Sequence, residues 1–502
     1  MKCLAVIAGA VFMAAPLTAQ GPTPLALSLQ EALTRADAAS PAVGIARAGA
    51  TSAAADRMRA RSALLPQLSG SMTYTRTLAS EFSGLVSSPA NDSFPTPTNC
   101  GHFHPNPNLP IGVRLDSLER GLDCAANSSP FDFSKSPFGQ KNTWNFGLSG
   151  TQTLFDPKIS GQLATARAGQ ERADVELTSQ RTQAMLDVAQ AYLDVQLAER
   201  LLDIADSTLA QAQRTFEQTR LERQVGNAAE FDQLRATVAR DNLNPVVILR
   251  RAQRDQALLR LRQLLDLPAA TPLLLATPLG DTAAAIPPPL APQLAVIPDT
   301  SVARRAPVRE AQASLRASDG QVSAARAARL PTLNLSSTYA KIDFPSKVFS
   351  FDNFLTDWSV NVRLDVPIYS GGRTRANTLT AEAAREQSAM RVKQAEQQAQ
   401  RDVQDVTLLL ASAQSVWDAV RGTVALAVRA YAIAELRYRT GLSTLTELGD
   451  ARNQLGQAEA NRAQAAHDFQ IARIRVVLLR DLPFGAPIVM PSASATAVPG
   501  NQ

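Results

Sequence analysis

The chain repeats itself, and the repeat limits what it can fold into more than any other feature. Leu65-Pro66-Gln67-Leu68, leading to Tyr74, returns as Leu330-Pro331-Thr332-Leu333, leading to Tyr339; the Pro and the Tyr are each displaced by 265 positions. Trp144 through Phe155 returns as Trp358 through Tyr369, displaced by 214. Gly226 returns as Gly441, and Asp266-Leu267-Pro268 as Asp481-Leu482-Pro483, all displaced by 215. An offset that holds from Gly226 to Pro268 gives the two halves helical arms of equal length. The repeated unit is two strands followed by two long helices, a module that soluble enzymes rarely need. A membrane barrel continued by a helical tube would use it.

The strands show in the period. Leu68, Gly70, Met72 and Tyr74 alternate with Ser69, Ser71, Thr73 and Thr75. Trp144, Phe146 and Leu148 alternate with Asn145, Gly147 and Ser149. In the second half Leu333, Leu335 and Tyr339 alternate with Asn334, Ser336 and Thr338, and Trp358, Val360, Val362 and Leu364 with Ser359, Asn361, Arg363 and Asp365. Alternation of period 2 predicts strands at about 66–76, 143–155, 331–341 and 357–369, each with one apolar and one polar face. Such strands suit either a half-buried soluble sheet or a tilted membrane span with its apolar face to lipid. Tyr74, Trp144, Tyr339 and Trp358 fall near strand ends, where an aromatic girdle would lie. Four strands cannot close a barrel around a lumen, and an open edge is not tolerated in lipid. A membrane reading therefore requires oligomers: eight strands from a dimer, twelve from a trimer.

The helices are long. Residues 158–223 contain no Pro and predict one helix, which at 1.5 Å per residue extends roughly 100 Å. A break at Val225-Gly226-Asn227 precedes a return helix over 229–267, with Pro245 as its kink. The second half predicts helices at 373–439 and 444–482, separated by Thr440-Gly441-Leu442-Ser443. Upstream, Ser28 to Ala39 reads as a short helix with Ser28 as N-cap and Glu31 completing a capping box, and Pro41 starts a second helix to about Leu64. Aromatic residues are only 5% of the chain, and Ala, Gln, Arg and Leu dominate the long segments, as suits packed helices.

Three His in all give a His-based catalytic site poor support. No G-x-x-x-x-G-K, H-E-x-x-H or G-x-S-x-G motif occurs. The formal charge is +5, but acids and bases alternate along the helices as on solvated faces, so no nucleic-acid binding is inferred. Residues 1–19, with Lys2, an apolar run and Ala19, read as a signal peptide that exports the chain. Cys100 and Cys124 then remain, both in the connection 76–142. In an exported chain such a pair reads as a disulfide worth roughly 3 kcal/mol. The rival metal set Cys100, His102, His104 and Cys124 has no standard spacing. The connection from Tyr74 to Trp144 is 51 residues longer than that from Tyr339 to Trp358. The first repeat thus occupies 20–267, a Pro-rich linker 268–298, the second repeat 299–485 and a disordered tail 486–502.

Several short stretches, in this order and at this spacing, resemble the outer membrane efflux protein family, the TolC-like channels of Gram-negative bacteria. They are Leu27-Ser28-Leu29-Gln30-Glu31-Ala32-Leu33, Leu64-Leu65-Pro66-Gln67-Leu68, Leu154-Phe155-Asp156, Ile368-Tyr369-Ser370-Gly371-Gly372, Tyr438-Arg439-Thr440-Gly441-Leu442-Ser443 and Glu447-Leu448. The resemblance spans about 25–485. It implies a mainly α chain with a small membrane β-barrel portion: a homotrimer with a twelve-stranded barrel in outer membrane lipid and a periplasmic helical tube. It implies a passive exit duct of an efflux or type I secretion system, with no cofactor and no chemistry. The breaks at Gly226-Asn227 and Gly441-Leu442-Ser443 become periplasmic tips that meet an adaptor protein, and through it an inner-membrane pump. The rival reading is a periplasmic coiled-coil scaffold or adaptor with a small β-domain, against which the duplicated strand pairs argue.

The family further implies an acidic ring at the periplasmic entrance. The matching residues are Glu447 and Asp450, six and nine past Gly441, and Asp232, six past Gly226. Three copies of a carboxylate on a pore axis make a negative ring; equally, acids at a helix start suit the helix dipole. Tyr438 matches a residue that helps hold such entrances shut, and a closing bond to Asp232 is open to it, while Ser443 stands where relatives carry an Arg, which leaves the polar lock incomplete. Nothing in the sequence names the cargo.

Overall fold

A computed structural model describes residues 25–79, 106–127, 141–226, 228–276, 300–345 and 354–485. The signal segment, Cys100 and therefore its pairing with Cys124, the rival His set, Asn227, most of the linker and the tail lie outside them. The chain divides into two units. One holds Met1–Arg57, Gln162–Val322 and Thr378–Gln502; the other holds Met58–Gly161 and Ser323–Asn377.

The second unit is built on a four-stranded antiparallel sheet. Its strands are β2 (Gln67–Arg76), β3 (Asn142–Phe155), β5 (Thr332–Asp343) and β6 (Leu355–Asp365), hydrogen-bonded in that order. The last strand ends at Asp365, four residues short of the expected 369. Its partner β5 begins at Thr332, opposite Asp365, and Pro367 has no N–H to continue a ladder. The sheet has two outer edges, on β2 and β6, that pair with no strand among the described residues. The same unit holds α3 (Ile111–Asn127) inside the β2–β3 connection, a helix not expected there.

The first unit is helical. After β1 (Leu25–Leu27), α1 (Leu29–Ala39) starts with the expected capping box: Ser28 Oγ accepts the Glu31 N–H at 3.2 Å, and the Glu31 carboxylate accepts the Ser28 N–H at 2.9 Å. α2 (Pro41–Ser62) follows. α4 (Pro157–Gln224) is one helix of 68 residues. The expected single return helix is two, α5 (Glu230–Asp241) and α6 (Leu243–Leu264), divided at Asn242. Pro245, three residues on, lacks the N–H that would continue the ladder. The second half gives α7 (Ala306–Ala327), α8 (Arg373–Val420), α9 (Thr423–Arg439) and α10 (Leu445–Leu478). The predicted helix 373–439 is thus also two, parted beside Gly422.

β4 (Leu273–Leu275) lies inside the segment expected to be extended linker, and it pairs in parallel with β1. Around this pair sits the largest core. Leu27, Leu33, Leu186, Val195, Leu261 and Leu478 are buried together, and the buried Tyr192 donates to the Leu27 carbonyl at 3.0 Å. No helix among the described residues is long and apolar enough to cross a membrane.

Candidate functional site

The sheet's register sorts its side chains. In an antiparallel sheet, directly opposed residues share a face. Gly70, Leu148, Tyr339 and Trp358 make one row, and Leu68, Gly150, Ser337 and Val360 the next. Met72 opposes Phe146, and Tyr74 opposes Trp144. The other face reads Ser69, Ser149, Thr338 and Ser359, then Gln67, Thr151, Ser336 and Asn361. One face is thus mainly apolar, interrupted by Gln152 and, toward one end, by Lys341, Thr356 and Asp343, and the other is polar. On β6 this face is uncovered, with Trp358, Val360, Val362 and Leu364 72, 61, 65 and 63% exposed, while on β3 Trp144 is buried. A patch of that kind on a soluble monomer marks an interaction surface. The polar face lines a concavity of about 1050 Å³ whose walls include Gln67, Thr151, Thr153, Asn334, Asn361 and Arg363.

All four expected girdle residues lie on the apolar face, toward the end from which 77–141 and 344–354 connect the strands. The Tyr74 and Trp144 rings are 4.9 Å apart, and those of Tyr339 and Trp358 are 6.3 Å apart. The Trp358 indole N–H donates to Ser337 Oγ at 3.1 Å. Aromatic rings with one apolar body and one polar handle suit a membrane interface.

The breaks in the helical unit are built on glycine for a backbone reason. Gly226 and Gly441 have φ of +80° and +74°, and an added Cβ at either would meet nothing within 4 Å. Left-handed backbone, not crowding, selects Gly there. At the second break the Gly441 N–H donates to the Tyr438 carbonyl at 3.0 Å and the Leu442 N–H to the Arg437 carbonyl at 2.8 Å, the paired bonds of a Schellman cap. Thr444 then caps α10, its Oγ accepting the Glu447 N–H at 3.3 Å. Across the first break, Arg223 donates to Gln233 Oε1 at 2.6 Å and pairs with Glu230 at 3.2 Å. Val225 and Leu442, one at each break, are both 71% exposed.

Glu447 and Asp450 are exposed, three apart, and share one side of the first turns of α10. Asp232 stands in the first turn of α5. Tyr438 takes a partner other than Asp232. Its hydroxyl lies 2.9 Å from Thr219 Oγ1 on α4, and Thr219 is fully buried. Burial raises the Tyr438 phenol above its ordinary range, and the nearby Glu222 and Asp232 carboxylates raise it further. Asp232 thus acts on Tyr438 through its field and not through a hydrogen bond. The Ser443 hydroxyl is buried and has no hydrogen-bond partner among the described residues.

Two clusters escaped the sequence reading. His467 on α10 lies 2.9 Å from Asp194 on α4 and 2.9 Å from Asp468. Burial opposes its charge, but the two carboxylates outweigh burial and push the imidazole up to about 9. Arg305, 1% exposed, pairs with Asp402 at 3.0 Å and donates to the Leu482 carbonyl at 3.2 Å. Each ties separate elements together, His467 linking α10 to α4 and Arg305 linking the start of α7 to α8.

A family model described as outer membrane efflux protein matches residues 120–266 and 297–479. The probable efflux pump outer membrane protein SepC of Pseudomonas putida is 26% identical over 62% of this chain and 66% of its own length. Outer membrane protein OprJ of Pseudomonas aeruginosa is 27% identical over 60% of each chain. The matched stretch therefore covers just under two thirds of these relatives. A crystal structure of a membrane protein from Pseudomonas aeruginosa superposes with a TM-score of 0.67 at 20% identity, covering 91% of this chain and 93% of that one.

Proposed function

The chain belongs to the outer membrane efflux protein family, and from that membership we propose that it is the trimeric outer membrane channel of a tripartite export system. It performs no chemistry and holds no cofactor; cargo passes through its lumen. The observation that carries this reading is the sheet, with one apolar face, one polar face and two open edges. Pairing β6 of one copy with β2 of the next closes the edges, and three copies give twelve strands. The apolar faces then meet lipid, the aromatic residues form a girdle, and the polar faces line the lumen.

The breaks at Gly226-Asn227 and Gly441-Leu442-Ser443 form the periplasmic tips that meet an adaptor protein, which links the channel to an inner-membrane pump. Exposed Val225 and Leu442 suit such a contact. Glu447 and Asp450, with Asp232, ring the entrance in threefold copy, and converging carboxylates draw cations. Tyr438 holds the entrance helices together through Thr219. The test is fractionation followed by conductance. The protein is expected as a trimer in outer membranes, and Glu447→Ala with Asp450→Ala is expected to lose cation selectivity in planar bilayers. Soluble protein in the periplasm defeats the channel reading. Unchanged selectivity in the double variant defeats the ring alone.

A further inference from the structure

The β2–β3 connection is where this chain departs most from its own second half, and it carries a helix the proposed function leaves unused. In α3, Ile111, Leu115, Leu118 and Leu122 recur at intervals of four, three and four. The stripe they form faces solvent, with exposures of 76, 55, 45 and 61%.

Such a helix does not sustain itself. Isolated helices of about this length are marginal in water even when Ala-rich. Gly112 and Gly121 each weaken it further, since glycine loses more backbone freedom on becoming helical than alanine does. Its stability has to come from covering the stripe. A four-three-four interval is the narrow seam of a coiled coil, where a helix lying on a globular core shows a broader face. With Ile111 and Leu118 at d and Leu115 and Leu122 at a, Arg114 falls at g and Glu119 at e. These opposite charges are five positions apart, the spacing that joins g of one helix to e of its neighbour when helices run parallel. The helix's own ion pair, Arg120 with Asp116, falls at f and b on the outward side. Val113, also outward and apolar, has no account in this arrangement.

We propose that α3 is a self-association surface: three copies, one from each protomer, pack in parallel through Ile111, Leu115, Leu118 and Leu122 into a short helical bundle at the outer mouth of the channel. The inference rests on the trimeric channel proposed above, which brings three copies of this connection to one rim in the same orientation.

The experiment uses the full chain in outer membranes, with Cys100 and Cys124 replaced by Ser and with trimer content checked on native gels. Leu118→Cys and Leu122→Cys place thiols in the seam, and Arg120→Cys places one outside it. Each variant is treated with a short bifunctional maleimide. Covalent dimers are expected from both seam variants and are expected to be lost in Arg120→Cys. Adding Arg114→Glu to Leu118→Cys should remove the dimer, and further adding Glu119→Arg should restore it. Intact trimers whose seam thiols give no more dimer than Arg120→Cys overturn the bundle while the channel reading stands. Absence of trimers from the parent protein's outer membranes overturns both.

Discussion

The two halves of the chain break their helical arms in opposite places. In the first half the outgoing arm, α4, runs unbroken and the return arm bends at Asn242; in the second half the outgoing arm bends beside Gly422 and the return arm, α10, runs unbroken. Both bend residues keep right-handed helical angles, so each is a bend rather than a turn. The unbroken arms hold the large buried side chains, among them Leu186 and Tyr192 on α4 and Ile471, Ile474 and Leu478 on α10. Ion pairs from Asp194 to His467 and from Arg200 to Glu459 join them. The bent arms bury little. α9 has no buried residue, and it exposes Leu426, Ile433 and Leu436 by 72, 52 and 63%. Equal arm length therefore conceals a division of labour: α4 and α10 share the large buried side chains, and the bent arms keep most of their apolar residues exposed.

The largest expected effect tests the turn that ends a bent arm. Gly441→Pro imposes negative φ where the backbone needs +74° and deletes the donor to Tyr438, a local cost of about 3 kcal/mol or more. Export should be lost while trimers persist in the membrane. Wild-type export would show that this break is not the working tip.

The packed pair is tested next. His467→Gln should destabilise detergent-purified trimers by on the order of 3 kcal/mol per chain, because two carboxylates lose their cation. The pH dependence has a definite sign. The folded imidazole is held near 9, above its ordinary 6.5, so its contribution is full below 6.5 and is lost as pH rises through about 9. Urea midpoints should fall between those pH values in the parent and stay flatter in the variant. Parallel curves would remove His467 from the account of the α4–α10 pair.

A smaller effect concerns the link between the two classes of arm. Thr219→Val deprives Tyr438 of its partner at a cost of roughly 1 kcal/mol and should raise open probability in single-channel recordings. Asp232→Asn should do less, since it forms no bond to Tyr438. The reverse ranking would restore Asp232 as the lock. Smallest is Arg223→Ala at the first break. Its partner Glu230 is exposed, so the loss in the trimer's denaturation midpoint should be within about 0.5 kcal/mol and should vanish in high salt.

The strands were legible because alternation is a direct record of two different solvents on the two faces, and all four fall within a few residues of expectation. Gly226 and Gly441 were legible because few other residues accept positive φ. β1 and β4 were not, since Leu-Ala-Leu and Leu-Leu-Leu carry no alternation and pair across 248 positions. The bend beside Gly422 was hidden because one Gly in a helical pattern is ordinarily tolerated. Tyr438 drew its partner from Thr219 rather than Asp232 because a fully buried hydroxyl on α4 already faced it. The His467 cluster has no sequence signature: Asp194 lies 273 positions away, and only the packing of α4 on α10 brings the two together.

The composition of the main core bears on how the chain can be delivered to its membrane. Leu27 comes from the first described residues, Leu186 and Leu261 from the first repeat, and Ile474, Leu478 and Leu482 from the last helix and its end. A duplicated chain invites the picture of a first half that folds while the second is still emerging. The shared core runs against that picture, because part of the cover over the first repeat's apolar side chains comes from Ile471, Ile474, Leu478 and Leu482. Contacts at such sequence separation form late and leave adhesive surface exposed meanwhile. A truncation that removes Ile474 onward should therefore uncover the first repeat's share of this core and raise its cleavage by proteases.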